Sequence, residues 1–241
     1  MKSITIINSS YLTDSKTMKL VNPFIEGIIE VYPDLEVTRF NISEWEFNSC
    51  TGCGHCWFKK PGDCIFNDSF SENITKIIKS DLIIFSCPIW VGTGNHLFRN
   101  FTERLICTVK PDFELNGDVY GHKRLPSVKI NKMILFSTCA LPGLHNFTPI
   151  YEHYKSLGQL MDIEIENPIF KYQSLEMYSY NDNEKNELFK LCFKLGKSFA
   201  INNSVNYELT HQIATPANDI KEYIKMVDIR QAEIRRKATK S

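Results

Sequence analysis

Apolar residues recur along this chain in two rhythms, and the rhythms alternate. Ile4-Thr5-Ile6-Ile7 is a short, mostly β-branched run that gives way to polar Asn8-Ser9-Ser10, after which Met18, Leu20, Phe24, Ile28 and Val31 return at helical spacing. That is strand, loop and helix. Leu35 to Phe40 alternates as a second strand, and a cysteine-bearing loop follows it. Asp68 is placed to cap a helix whose Phe70, Ile74, Ile77 and Ile78 share one face. Asp81 to Cys87 is nearly continuous in apolar residues, which suits a central strand covered on both faces.

The alternation continues. Leu97, Phe98, Phe101 and Leu105 line one side of an amphipathic segment, and residues 108–128 read as an irregular insertion. Lys132 to Ser137 repeats the strand-then-polar-loop pattern, 146–158 reads as helix, Ile163 to Tyr172 as a fifth strand, and Leu188, Leu191, Cys192, Leu195 and Phe199 as one face of another helix. Five such alternations predict an α/β fold, a doubly wound five-stranded parallel sheet with helices on both faces, because parallel strands need right-handed crossovers. Ligands bind such sheets outside the strand carboxyl ends. Three polar loops fall there: 8–17, 88–95 and 137–145. From about residue 205 the chain turns polar and charged, with Tyr223, Ile224 and Met226 as an apolar island. The expected organisation is therefore one domain over 1–204 and a helical extension over 205–241, placed in an oligomer interface.

Composition narrows the partners. The chain has 241 residues, 43% of them hydrophobic, enough for one sizeable core. Lys plus Arg and Asp plus Glu each total 28, so no global field draws it to nucleic acid or an anionic membrane, and a small, roughly neutral partner is expected. The apolar run at residues 4–7 is too short for a signal peptide, and no stretch approaches the roughly 20 apolar residues that span a bilayer. The expectation is a cytoplasmic protein with no membrane partner. In that reducing compartment eight cysteines point to metal or redox chemistry rather than to structural disulfides.

Four of those cysteines, Cys50, Cys53, Cys56 and Cys64, lie within fifteen residues. Two C-x-x-C steps let three thiolates converge, and a fourth can close a [4Fe–4S] cage. Zinc also suits four thiolates, and a metal-free loop packed against a cofactor remains a third reading. His55 reads as a surface loop residue. In the first loop, Ser9, Ser15, Lys16 and Thr17 offer donors at the start of a helix, where a phosphate meets the helix dipole; Ser15 or Thr17 serving only as a cap is the plainer alternative. No G-x-G-x-x-G occurs. In the second, Pro88, Ile89, Trp90, Val91 and Gly92 combine an aromatic face with a glycine that lets backbone donors approach a ring. Ser137, Thr138 and Cys139 supply a third donor-rich loop. Arg99 and Glu103 are spaced as an i,i+4 ion pair.

Together these residues resemble the flavodoxin-like NAD(P)H-dependent FMN reductase family, especially its iron–sulfur flavoprotein branch. Ser9 through Thr17 is similar to the family's phosphate loop, with Asn8 in place of its glycine and Ser15-Lys16-Thr17 standing for S-N-T. Cys50, Cys53, Cys56 and Cys64 match the branch's cysteine loop, and Asp68 falls where an acidic pair often follows. Pro88 to Gly92 looks like P-V-Y-F-G, Arg99 to Arg104 like K-x-x-x-D-R, and Ser137 to Pro142 like S-T-C-G-F-P; Ile220 to Ile224 is similar to the family's tail. The resemblance implies non-covalent FMN, electrons from NAD(P)H or a carrier, a small-molecule acceptor, and a homodimer or homotetramer. No catalytic side chain is then expected, because the flavin carries the chemistry. An electron carrier between protein partners and a cysteine-based metal or redox sensor are the alternatives.

Overall fold

In chain order the elements are β1 (Ser3–Asn8), α1 (Lys16–Val31), β2 (Glu36–Asn41), α2 (His55–Phe58), α3 (Ser69–Ile77), β3 (Leu82–Ser86), β4 (Ile89–Trp90), β5 (Thr93–Gly94) and α4 (His96–Arg104). There follow β6 (Val109–Asn116), β7 (Val119–Arg124), β8 (Lys132–Thr138), α5 (Thr148–Met161), β9 (Glu164–Ile165), β10 (Ile169–Lys171), α6 (Asp182–Asn202), α7 (Tyr207–Ala214) and α8 (Ile220–Ala238). This computed structural model describes residues 1–179 and 182–238, so the last three positions of the expected extension lie outside the described residues.

The main sheet is wholly parallel, in the order β10-β8-β3-β1-β2, with β9 beside the start of β8. Chain order reverses between β1 and β3, which is the flavodoxin-like arrangement and its topological switch point. Every residue of β3 and β8 is buried. Both strands are read from their near-continuous apolar runs, and both are covered on two faces. Alternate residues of β1 divide between the two cores: Ile4 and Ile6 pack under α1 and α6, whereas Ile7 packs with Phe70, Phe85, Phe98 and Phe101 on the other side.

The layer of α1 and α6 is unusually close. A Cβ on Gly196 would lie 1.9 Å from the Phe24 carbonyl oxygen, and one on Gly27 would lie 2.1 Å from that of Phe193. Backbone therefore packs on backbone, and only glycine is tolerated at this crossing.

Two expectations need correction. Residues 108–128 are not irregular: β6 and β7 form an antiparallel hairpin, separate from the main sheet, with Phe113, Leu115 and Tyr120 exposed. The fifth strand is also not one run from Ile163 to Tyr172. It is split around Pro168, which has no N–H to donate, so β9 pairs with Lys132–Met133 and β10 with Phe136–Thr138.

Beyond residue 205, α7 and the start of α8 are fastened to the sheet's β10 end. Buried Lys171 donates to the Thr215 carbonyl at 2.9 Å and pairs with buried Glu176 at 2.8 Å, and Glu176 accepts from the backbone N–H of Ala217 at 3.2 Å. Burial pulls the Lys171 ammonium below its ordinary pKa, against the opposing pull of Glu176. Tyr223, the centre of the apolar island, is buried and donates its hydroxyl to the Ala140 carbonyl. Among the described residues no helix is long and apolar enough to cross a membrane.

Candidate functional site

The loops after β1, β3 and β8 meet at the carboxyl edge because those three strands are neighbours in the sheet. The backbone and hydroxyl of Ser9 both donate to the Ser86 carbonyl, at 2.9 and 3.1 Å. Asn95 donates to the Ser9 carbonyl at 2.6 Å, Ser137 to the Cys87 carbonyl at 2.6 Å, and the Thr17 and Thr138 hydroxyls are 2.7 Å apart. The sequence-predicted residues are thus brought together, but with a division of labour. Ser9, Thr17 and Ser137 are fully buried and spend their hydroxyls holding one loop to another. Ser15 caps α1, accepting from the Met18 N–H at 3.2 Å.

Lys16 stands at the first turn of α1. It donates to the Tyr178 hydroxyl at 2.9 Å and lies 4.1 Å over that ring, while the Arg230 guanidinium lies 4.0 Å from the same ring. The hydrogen bond from Lys16, with the fields of Lys16, Arg230 and Lys19, lowers the Tyr178 pKa despite partial burial. Tyr178 and Arg230 carry no local sequence signal; only the fold brings them to Lys16.

The second loop is a tight hairpin of β4 and β5. Val91 and Gly92 occupy its turn with φ of 50° and 82°, both left-handed. For a β-branched residue this is a strained conformation, of the kind that clusters at functional sites. Trp90 is 71% exposed and Val91 92% exposed, with Pro88 and Ile89 half-buried behind them. Tyr11, Leu12, Leu141 and Leu144, in the flanking loops, are also exposed. A turn that spends strain to present apolar side chains at a switch point suits a flat aromatic ligand. Cys139 and Cys87 are buried, and burial raises both thiol pKa values, that of Cys87 to about 11.

The four-cysteine loop builds a second feature. Cys50, Cys53, Cys56 and Cys64 all line one cavity of about 450 Å³, with Trp57, Ile65, Phe66, Arg104, Ile106 and a fifth cysteine, Cys107. Gly54, at φ 67°, turns the chain into α2, and the half-buried His55 opens that short helix. The backbone of His55 and the hydroxyl of Thr51 hydrogen-bond the Cys53 sulfur and lower its pKa. Cys56 is raised by burial and by neighbouring Cys64, and burial pushes Cys107 up to about 12. All four loop cysteines are free thiols on a shared wall, a donor set that fits one thiolate per iron of a [4Fe–4S] core. Among the described residues no three Cys, His, Asp or Glu side chains converge as for a single metal ion.

Arg104, which lines this cavity, is paired with Asp68. Asp68 caps α3 through the Ser71 N–H at 3.3 Å and meets the Arg104 guanidinium at 2.6 Å, with side-chain exposures of 8% and 1%. Burial works against its ionisation, yet the hydrogen bonds from Arg104, Asn48 and Ser71 hold its carboxyl at about 2. The expected surface pair is also present, with Arg99 Nε 2.7 Å from Glu103.

No protein-family model matches the chain. It is 35% identical over 102 residues to an iron–sulfur flavoprotein of Clostridioides difficile (strain 630), a stretch covering 42% of this chain and 44% of that protein, so less than half of either is matched. Among solved structures it is similar to an azoreductase from Bacillus anthracis str. Sterne, with a TM-score of 0.61, 12% identity, and 83% and 100% of the two chains covered. An NAD(P)H:quinone oxidoreductase from Methanothermobacter marburgensis gives 0.60, 12%, 82% and 96%. An FMN-dependent NADH-azoreductase from Bacillus anthracis str. Ames Ancestor, in complex with FMN, gives 0.54, 10%, 85% and 100%. The resemblance read from the sequence is borne out by the flavodoxin-like fold and by these relatives.

Proposed function

We propose that this chain is an FMN-dependent oxidoreductase that passes electrons from NAD(P)H or a redox carrier to a small acceptor. The observation that carries the reading is the convergence of three loops on the β1/β3 switch point, with a strained turn presenting Trp90 and Val91 outward. The loop holding Ser9, Ser15, Lys16 and Thr17 takes the phosphate. Lys16 and the first turn of α1 supply the attraction, and the buried hydroxyls of Ser9 and Thr17 keep the loop's shape. Pro88 to Gly92 and Ser137 to Cys139 frame the ring. Bound FMN would supply the hydride or electron chemistry, so the chain's own task is to bind, orient and tune. The likeness in fold to an NAD(P)H:quinone oxidoreductase and to an FMN-dependent NADH-azoreductase supports this donor and cofactor.

The cysteine loop with Cys50, Cys53, Cys56 and Cys64 would hold a [4Fe–4S] cluster that relays electrons, a reading supported by the iron–sulfur relative and by the shared cavity. The chain beyond residue 205 would act as an extension whose α8 exposes Ile220, Ile224 and Ile234 on one side, a face that suits a subunit contact in a homodimer or homotetramer. The phosphate assignment is tested by comparing FMN with riboflavin. Lys16→Glu should weaken FMN binding at least tenfold and leave riboflavin binding within twofold. Equal loss for both ligands would place the phosphate elsewhere.

A further inference from the structure

Beside the first loop, two cations converge on one phenol. Lys16 Nζ donates to the Tyr178 hydroxyl at 2.9 Å and lies 4.1 Å from the centre of its ring, and the Arg230 guanidinium carbon lies 4.0 Å from the same centre. Lys19 adds its field from the next turn of α1, but it is paired with Asp14 at 3.2 Å. Lys16 and Arg230 have no such partner. Among the described residues no carboxylate forms an ion pair with either, although Glu222 and Glu233 line the same groove as Arg230. Two like charges held against one ring repel, and a cation–π contact at a part-exposed site offsets little of that. All three groups are donors: the phenol already accepts from Lys16 and keeps its own proton to give. The Lys16 hydrogen bond and the surrounding charges hold the Tyr178 hydroxyl below its ordinary pKa, as a positive pocket should. Donors, positive charge and no acceptor together suit a dianion.

The three groups come from distant parts of the chain, and each is fixed. Lys16 opens α1 behind its Ser15 cap. Tyr178 ends the turn after β10, in which Glu176 is tied to Lys171 and to the Ala217 N–H. Arg230 lies about two helical turns beyond Tyr223, whose hydroxyl fastens α8 to the Ala140 carbonyl. We propose that α8 carries part of a phosphate-binding site, in which Arg230 and Lys16, set against Tyr178, take a phosphate monoester dianion. It rests on the reading of the adjoining loops as the flavin site, and two participants in that reaction bring such a group: FMN its 5′-phosphate and NADPH its 2′-phosphate. Arg230 supplies the planar fork of charge-assisted N–H donors that fits a phosphate.

The test compares each phosphorylated ligand with its counterpart lacking that phosphate, on the full-length protein. Fluorescence titration reads the binding of FMN and of riboflavin, and the anaerobic bleaching rate of bound flavin, at saturating FMN, reads the use of NADPH and of NADH. Arg230→Ala keeps a strong helix former at an outer position of α8, so the fold survives it. It should cost about tenfold or more on one phosphorylated ligand and leave the counterpart within about twofold. Loss on FMN and not riboflavin makes the flavin phosphate the occupant; loss on NADPH and not NADH makes it the 2′-phosphate. Equal loss on both members of a pair is structural damage and overturns the proposal, as does no loss on any ligand. Should Lys16→Glu still weaken FMN binding in that last case, the flavin reading stands and only the role of Arg230 falls; protein that binds no flavin would overturn both.

Discussion

Substituting Asp68 by Asn removes one charge from a buried pair and keeps the shape, but only one oxygen remains where Oδ1 now caps α3 and Oδ2 accepts from Arg104 and Asn48. The folded chain holds the Asp68 carboxyl at about 2, against an ordinary value of 3.8. At about 1.36 kcal/mol per pH unit that gap is worth about 2 kcal/mol of stability. Because the pKa is depressed by folding, the contribution is fully present above pH 3.8 and is lost as pH falls through 2. It falls below the about 3–5 kcal/mol that removing one partner of a buried pair costs, as expected when the replacement is isosteric and keeps one accepting oxygen. Urea denaturation followed by circular dichroism should therefore show Asp68→Asn less stable by about 2 kcal/mol at pH 7. Parallel titrations to acid should show the two proteins converging between pH 4 and 2. A difference below about 0.5 kcal/mol at pH 7, in the range of ordinary surface substitutions, or one that does not change with pH, would refute the reasoning.

Gly196→Ala should destabilise by at least about 2 kcal/mol in the same denaturation assay, since the new methyl meets the Phe24 backbone 1.9 Å away and cannot turn aside; a neutral result would mean that α1 and α6 separate readily. Trp90→Ala, at 71% exposure, should change stability by less than about 0.5 kcal/mol yet weaken flavin binding severalfold by fluorescence titration. Unchanged flavin affinity would remove Trp90 from the ring site.

The sheet could be read along the chain because its central strands are apolar on both faces and its helices apolar on one, patterns that burial itself imposes. β3, with every residue buried, is the clearest case. The hairpin of β6 and β7 escaped notice for the converse reason. It pairs only with itself among the strands, carries Lys110-Pro111-Asp112, and leaves Phe113, Leu115 and Tyr120 in solvent, so no core face writes a period of two into it. The loops of the candidate site were legible as polar stretches following strands. Their inner construction was not: that Thr17 meets Thr138, or that Ser137 is fastened to Cys87, follows from strand order rather than from local sequence.

Ion pairs divide in the same way. Arg99 and Glu103 announce themselves by helical spacing, whereas Arg104 finds Asp68 across 36 positions. Cys107 likewise joins the four-cysteine cavity from the turn that follows α4, where nothing in its neighbourhood marks it as their companion. Spacing identifies groups that share an element, and these two contacts depend on how elements pack.

The most direct test of the account is a visible absorption spectrum, with iron and acid-labile sulfide analysis, of protein purified without oxygen and supplied with FMN. The account predicts flavin bands together with about four irons per chain, the content of one [4Fe–4S] centre. Protein that takes up no flavin would contradict it.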